Sequence, residues 1–498
     1  MPQTFTRLLV GACLLAAPLA GNAFSLNGPF AAWQSNDIGY QLGADVGGPM
    51  NLGEEYRWNQ SSITYAFDNS FLDYFGQAGV EAVEEAIQIL NDLPSTSAMS
   101  GDLNEFPLDT RRINHTAAAL GLSDLKSYAL SALLEQLGLA APERWVWAIR
   151  ARVVINNVPF YSIIKRNFDP ITLQPSSYVN GTLYTYVIQQ TFANPDVFEA
   201  VKLAVDPLAP SVTSVAALVG VGAGAAELIG SIQSLANGLF YSGLTRDDVG
   251  ALRYMYNAKN YNVETLPTGA EVGTGGGFSG SGGGGSPFES PFGGGGGGGE
   301  PWTPVFNPAA TNVTAAAGGG VQAGGGGTVA TNFARPLIDL GLRGGIEKIR
   351  LNRVNYDSVL GVVLSYTNRF VDAYITNGVL RSQAVQVVSA QPDIIFSAGD
   401  LGVVQEVPVT YSRNVNFVNQ DAVNGVAALA GPGTIQGGAV ISFSSVGPWW
   451  DQVGEGSVEE DGFAGFLWGR YDGSTNAPTV FPSGVSIQEL ERRVLGGR

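Results

Sequence analysis

The chain has one histidine, His115, and one cysteine, Cys13, so most of its chemistry must rest on carboxylates, hydroxyls and amides. His115 would suit a Ser–His–Asp triad, but no G-x-S-x-G elbow surrounds any serine. A lone histidine in so loop-rich a sequence reads as a surface or capping residue. Two carboxylates ~5–9 Å apart could hydrolyse a glycosidic bond without histidine. Glu81, Glu84 and Glu85 share a helix face and read as solvated, and Asp393, Asp400 and Glu406 fall in strand or turn contexts. The densest acidic stretch is "DQVGEGSVEEDGF". There Asp451, Glu455, Glu459, Glu460 and Asp461 offer hard oxygens on a bendable backbone, the ligand set Ca²⁺ takes, although the spacing is not that of an EF-hand. The alternative is a solvated acidic loop. Trp449 and Trp450, just before it, read as buried β-core or as a sugar-stacking surface. The glycine tracts contain no G-x-x-x-x-G-K-[ST] and form no phosphate loop.

Composition narrows the partners. The formal charge is −17 with only 14% charged residues, a spread acidity that excludes the clustered Lys and Arg of a nucleic-acid binder. Arg7, the apolar run Leu8–Leu19 and the small residues Gly21-Asn22-Ala23 read as a secretory signal cleaved before Phe24. The expected location is secreted, extracellular or at the cell surface. After cleavage no cysteine remains for a disulfide or a thiolate metal site.

Glycine marks the expected boundary. Residues 269–299 and 315–327 are glycine-rich and cannot bury enough apolar surface to order themselves. The expected division is a signal at 1–23, an α/β domain at 24–267, a flexible linker at 268–327 and a β-rich domain at 328–498. In the first part "SSITYAFD" alternates like a strand, and Val80, Val83, Ile87 and Leu90 predict a helix over 79–93. A second helix is expected from an N-cap at Ser123, with Leu125, Ala129, Ala132, Leu133 and Leu137 as its buried stripe and Gly138 as its stop. A third starts at Thr245 with Asp248 in a capping box. "VVINNVPFYSIIKR" reads as a hairpin turning at Asn156-Asn157. Val212–Ile232 has the length of a membrane span, but Glu227 and four glycines favour a buried small-residue helix pair. The second part alternates in short runs split by Gly, Pro, Asn and Asp, which predicts an antiparallel, sandwich-like fold. The overall class expected is α+β.

Three segments, in order, resemble the matrixin-type zinc metalloproteases of the metzincin group. They are the opening "YRWNQSSITYAFDN", the helix "GQAGVEAVEEAIQIL" and the closing "LTRDDVGALRYMYN". Between the last two lies "SALLEQLGL", similar to the family's H-E-x-x-H-x-L-G-L helix. The resemblance implies that metal ligands belong at Ser131, Glu135 and Ala141 and the catalytic base at Ala132. Of these only Glu135 could ligate, and zinc requires three or four good ligands. A second register on "NHTAAALGLSD" puts Asn114, Ala118 and Asp124 at the ligand positions and also fails at Ala118. One histidine cannot make a three-histidine site, and no methionine lies between Met99 and Met255 to sit beneath a metal. The stretch between the first two helices is also too short for the central strands of such a domain.

The sequence therefore predicts a secreted, non-catalytic binding or structural protein on a degenerate metalloprotease-like domain. Its partners would be an extracellular protein or a polysaccharide surface, with no nucleic acid and no membrane span after signal cleavage. Calcium is the cofactor to consider, and zinc is not expected. The alternatives are an active zinc metallopeptidase with an unrecognised site and a hydrolase using carboxylates alone.

Overall fold

A computed structural model describes residues 21–28, 51–190, 198–209, 214–217, 235–272, 337–357, 362–363, 365–399, 408–419, 430–445, 467–482 and 486–488. The alternating "SSITYAFD" forms strand β1 (Ser62–Phe67), and Asp68 then caps α1 (Asn69–Asn91) by accepting from the Phe71 N–H at 3.0 Å. This helix starts ten residues before its expected onset. Gly76, at φ 59° and ψ −162°, breaks it, a backbone geometry that needs glycine. Only the part after the break follows the expected stripe of Val80, Val83, Ile87 and Leu90. Helix α2 (Leu125–Gln136) is capped by Asp124, not by Ser123, and is buried on nearly every face rather than along one stripe. Strands β2 (Ala148–Ile155) and β3 (Val158–Ile164) form the expected hairpin, with φ of 51° at Asn156 and 62° at Asn157. Strands β4 (Thr182–Gln190) and β5 (Phe198–Ala204) pair antiparallel. Helix α3 (Arg246–Tyr256) begins with the expected Thr245–Asp248 capping box.

The later strands are β6 (Arg350–Arg353), β7 (Tyr366–Thr376), β8 (Val379–Ser389), β9 (Ile394–Gly399), β10 (Val409–Tyr411), β11 (Asn414–Asn419), β12 (Ala430–Gln436), β13 (Ala439–Ser444) and β14 (Leu467–Arg470). With 21% helix and 41% strand, the chain is mixed α and β. Among the described residues these strands do not stack as an antiparallel sandwich. One five-stranded sheet runs β6-β1-β9-β13-β10, with the first four strands parallel and only β10 antiparallel. Its second strand comes from before the glycine tracts and the others from after them. A second, antiparallel sheet also mixes the two parts, since Asn262–Glu264 pairs with Gly341–Arg343, which pairs with β7. Ile63, Phe396, Ile441 and Phe443 are all buried and line one face of the sheet, and in β1 the alternate residues Thr64 and Ala66 are buried too, so this inner strand is covered on both faces, as suits parallel pairing.

Aromatic rings fill the space between the sheet and the helices. Phe67 stacks on Phe396 at 5.2 Å, Phe71 and Phe75 of α1 lie 4.8 Å apart, and Phe75 meets Phe443 edge-on at 5.9 Å. Trp468 of β14 reaches Tyr128 of α2 at 5.3 Å, and β14 pairs in parallel with Leu122–Asp124 just before α2. Arg57 is fully buried. It pairs with Glu264 at 2.6 Å and donates to the carbonyls of Met255, Asn260 and Arg343, tying the 255–264 stretch and Arg343 to one guanidinium. Among the described residues no helix is long and apolar enough to cross a membrane.

Candidate functional site

Helix α2 places the positions at which the resemblance puts metal ligands. Ser131, Ala132 and Glu135 are buried, and Ala141 lies beyond the helix end, partly exposed. Glu135 is only 2% exposed. Its Oε2 accepts from Asn27 Nδ2 at 2.8 Å and from the Tyr411 hydroxyl at 3.2 Å, and it lies 3.7 Å from the Arg413 guanidinium. Arg413 also donates to the Glu135 carbonyl. The carboxylate is thus engaged in a dry ion pair that joins α2 to the turn between β10 and β11. His115 is exposed in the first turn of a five-residue helix capped by Asn114. Among the described residues no group of three or more His, Cys, Asp or Glu is placed to hold a metal.

The remaining sequence candidates divide. Asp451, Glu455, Glu459, Glu460 and Asp461 lie outside the described residues, as do Trp449, Trp450, Asp400, Glu406 and most of Val212–Ile232. Glu81 and Glu85 are not simply solvated. Both pair with Arg470, the Glu85 contact at 2.7 Å, while Glu84 pairs with Arg353 at 2.8 Å. These bridges fasten α1 to β14 and β6.

The acidic start of α3 is structural. Asp248 accepts from the N–H groups of Thr245, Val215 and Ala216 at 3.0 to 3.2 Å, and Asp247 from the Asn180 N–H. Burial pushes Asp248 up to about 6 and raises Asp247 well above the carboxylate range. The two side chains pin the segments at 180 and 214–216 to the helix.

Asp393 has a different setting. It lines a cleft of about 640 Å³ with Gln60, Thr268, Asn414, Asn416 and Gln436, between β8, β11 and β12. Its Oδ2 accepts from the Thr64 N–H at 2.8 Å and hydroxyl at 2.9 Å, and burial raises its pKa. Gly437 comes so close that an added Cβ would lie 2.4 Å from Asp393 Oδ1, so only glycine closes that wall. Each surrounding amide is anchored by part of its hydrogen-bonding capacity. Asn414 Nδ2 donates to Gly437 O at 3.1 Å, Asn416 Nδ2 to Thr265 Oγ1 at 2.9 Å, and Gln436 Oε1 accepts from Thr268 N at 2.7 Å. An amide has two donors and two acceptor sites, so capacity remains for a ligand. Among the described residues no lysine or arginine lines the cleft. Sequence reading singled out Asp393 but none of the amides, which sit up to hundreds of residues apart and share no local signature.

Comparison with protein-family models, with curated proteins and with solved structures returned no match.

Proposed function

We propose that the chain is a secreted, non-catalytic binding protein with a matrixin-like scaffold that has no zinc, and that it holds a neutral polysaccharide in the Gln60–Asp393–Gln436 cleft. The observation that carries the non-catalytic reading is the engagement of Glu135. A metalloprotease needs ligands open to a metal and a carboxylate free to activate water. Here the only ligand-capable residue on the helix is buried against Arg413, Asn27 and Tyr411. Kinship of fold draws support from the sheet. The strands that the short stretch before α2 has no room for stand beside β1, contributed by residues 350–444.

The ligand class follows from the cleft lining. Amides that both donate and accept suit hydroxyl groups, and the lack of cations among the described lining residues disfavours phosphate or sulfate. Two measurements test the reading. Elemental analysis should find no stoichiometric zinc, and casein turnover should be nil with or without chelator; zinc with chelator-sensitive cleavage would overturn it. Calorimetric titration with a panel of neutral polysaccharides should show binding that weakens in Asn414→Ala and Asn416→Ala. A panel without binding would remove the saccharide assignment.

A further inference from the structure

The β2–β3 hairpin projects from the base that the β4–β5 sheet covers. Its lower rungs are core, with Ala148 and Ile149 fully buried. Its last three rungs pair Val153 with Phe160, Val154 with Pro159 and Ile155 with Val158. All six side chains are apolar, and because side chains alternate across a strand they occupy both faces of the ribbon. Val153, Val154, Ile155, Val158 and Phe160 are each 51 to 55% exposed.

Directly below these rungs the chemistry changes. Arg152 sits opposite Tyr161, with Arg150 beside it, and the Arg152 guanidinium lies 4.1 Å over the Phe198 ring. Tyr161 packs on Phe198 at 5.9 Å, and Trp147 on Tyr186 at 5.0 Å with Lys165 above it. The segment from Arg144 to Phe168 contains five basic residues and no acidic one, in a chain of net charge −17. Of the nearby acids, Glu199 is buried 4.0 Å from Arg144.

We propose that this hairpin is an anchor for an anionic lipid surface, its apolar tip entering the interface and its Arg150–Arg152 collar meeting the headgroups. The layering carries the assignment. A protein partner covers one face of a ribbon, whereas lipid surrounds both. Aromatic and cationic residues behind an apolar tip are what the membrane–water boundary favours. Three rungs span roughly 10 Å, the depth to which interfacial segments enter. The ribbon does not cross the bilayer, because a two-stranded sheet leaves backbone groups unpaired along both edges. The Asn156-Asn157 turn carries no charge into the interface and supplies the positive φ angles the turn requires.

Co-flotation of the chain from Phe24 onward with vesicles tests this. Vesicles of phosphatidylcholine with phosphatidylglycerol should bind the protein, with binding falling as salt rises. Pure phosphatidylcholine should bind far less, and Arg150→Gln and Arg152→Gln should each lower the partition coefficient about fivefold. The double variant Ile155→Asp/Phe160→Asp should abolish binding while leaving the melting temperature unchanged, since both sites are exposed. A fluorophore on Ile155→Cys in the chain from Phe24 onward, which has no other cysteine, should shift to the blue on binding. No flotation with the acidic vesicles would overturn the proposal. So would a concentration-dependent dimer that the double variant disrupts in the absence of vesicle binding, since the occupant would then be a second copy. Equal binding to both vesicle types would overturn the role of the arginines.

Discussion

At the scale of single residues, the chain turns a position suited to metal chemistry into a fastening. Glu135 and Arg413 are both almost wholly buried. Arg413 Nε and Nη1 find no hydrogen-bond partner among the described residues, so its charge is neutralised chiefly by this one carboxylate. Taking away one member of such a pair leaves the other charged and dry. Glu135→Gln should therefore destabilise the fold by ~3–5 kcal/mol, whereas the paired replacement Glu135→Met/Arg413→Met should recover most of that loss. Urea unfolding of the two variants checks both statements, and a neutral Glu135→Gln would mean the pair carries no such weight. Half of this was legible in the sequence. Counting histidines excluded a three-histidine site, but the partner of Glu135 lies 278 residues further along the chain. No local spacing announces a contact of that length.

At the scale of elements, local signals were read well where the chemistry is local. The capping box of α3 and the Asn-Asn turn of β2–β3 need only neighbours in sequence. The stripe of α2 misled because its polar side is buried too. The Ser127 hydroxyl accepts from Tyr241 N–H at 2.8 Å, and Gln136 Nε2 donates to Ser412 O at 3.1 Å, so distant segments cover a face that looks solvent-exposed in sequence. The same burial makes the helix caps pH-sensitive. Burial raises Asp124, the cap of α2, to about 6, and it does the same to Asp248 in the α3 capping box. Both values exceed the ~3.9 of an unfolded aspartate, so the folded state holds these protons more tightly. Their stabilisation is complete below the unfolded value and is lost as pH rises through 6. The melting temperature should therefore fall between about pH 4 and pH 7 in a buffer series at constant ionic strength. Asp124→Asn keeps a competent N-cap but no longer titrates, and should flatten the decline. A melting temperature that climbs over this range would contradict the assignment.

At the scale of the whole molecule, the glycine tracts cut the sequence where the sheet does not. Composition marks them as segments that bury little, and from that the two flanks read as separate units. Strand pairing has no such signature. The alternation of β1 is the same whether its neighbours are parallel or antiparallel, near or almost 290 residues away, as Arg350 is from its partner Ser62. Residues 24–267 taken alone would leave β1 without β6 and β9 and would uncover Phe67, Phe71 and Phe75, whose rings pack on Phe396, Phe443 and Trp468. That fragment should bind a hydrophobic dye and melt without a cooperative transition. Mixing it with residues 328–498 should restore one, because β6 and β9 then pair with β1 in trans and cover the exposed rings. By the same reasoning a chain cut by protease within 273–336 should stay associated on size exclusion, held by the sheets that both parts share and by the hydrogen bonds of Arg57 to the Arg343 carbonyl and of Arg343 to the Glu264 carbonyl. Separation of the cut pieces under native conditions, or a cooperative melt of residues 24–267 alone, would show that the sheet strands do not depend on one another in this way.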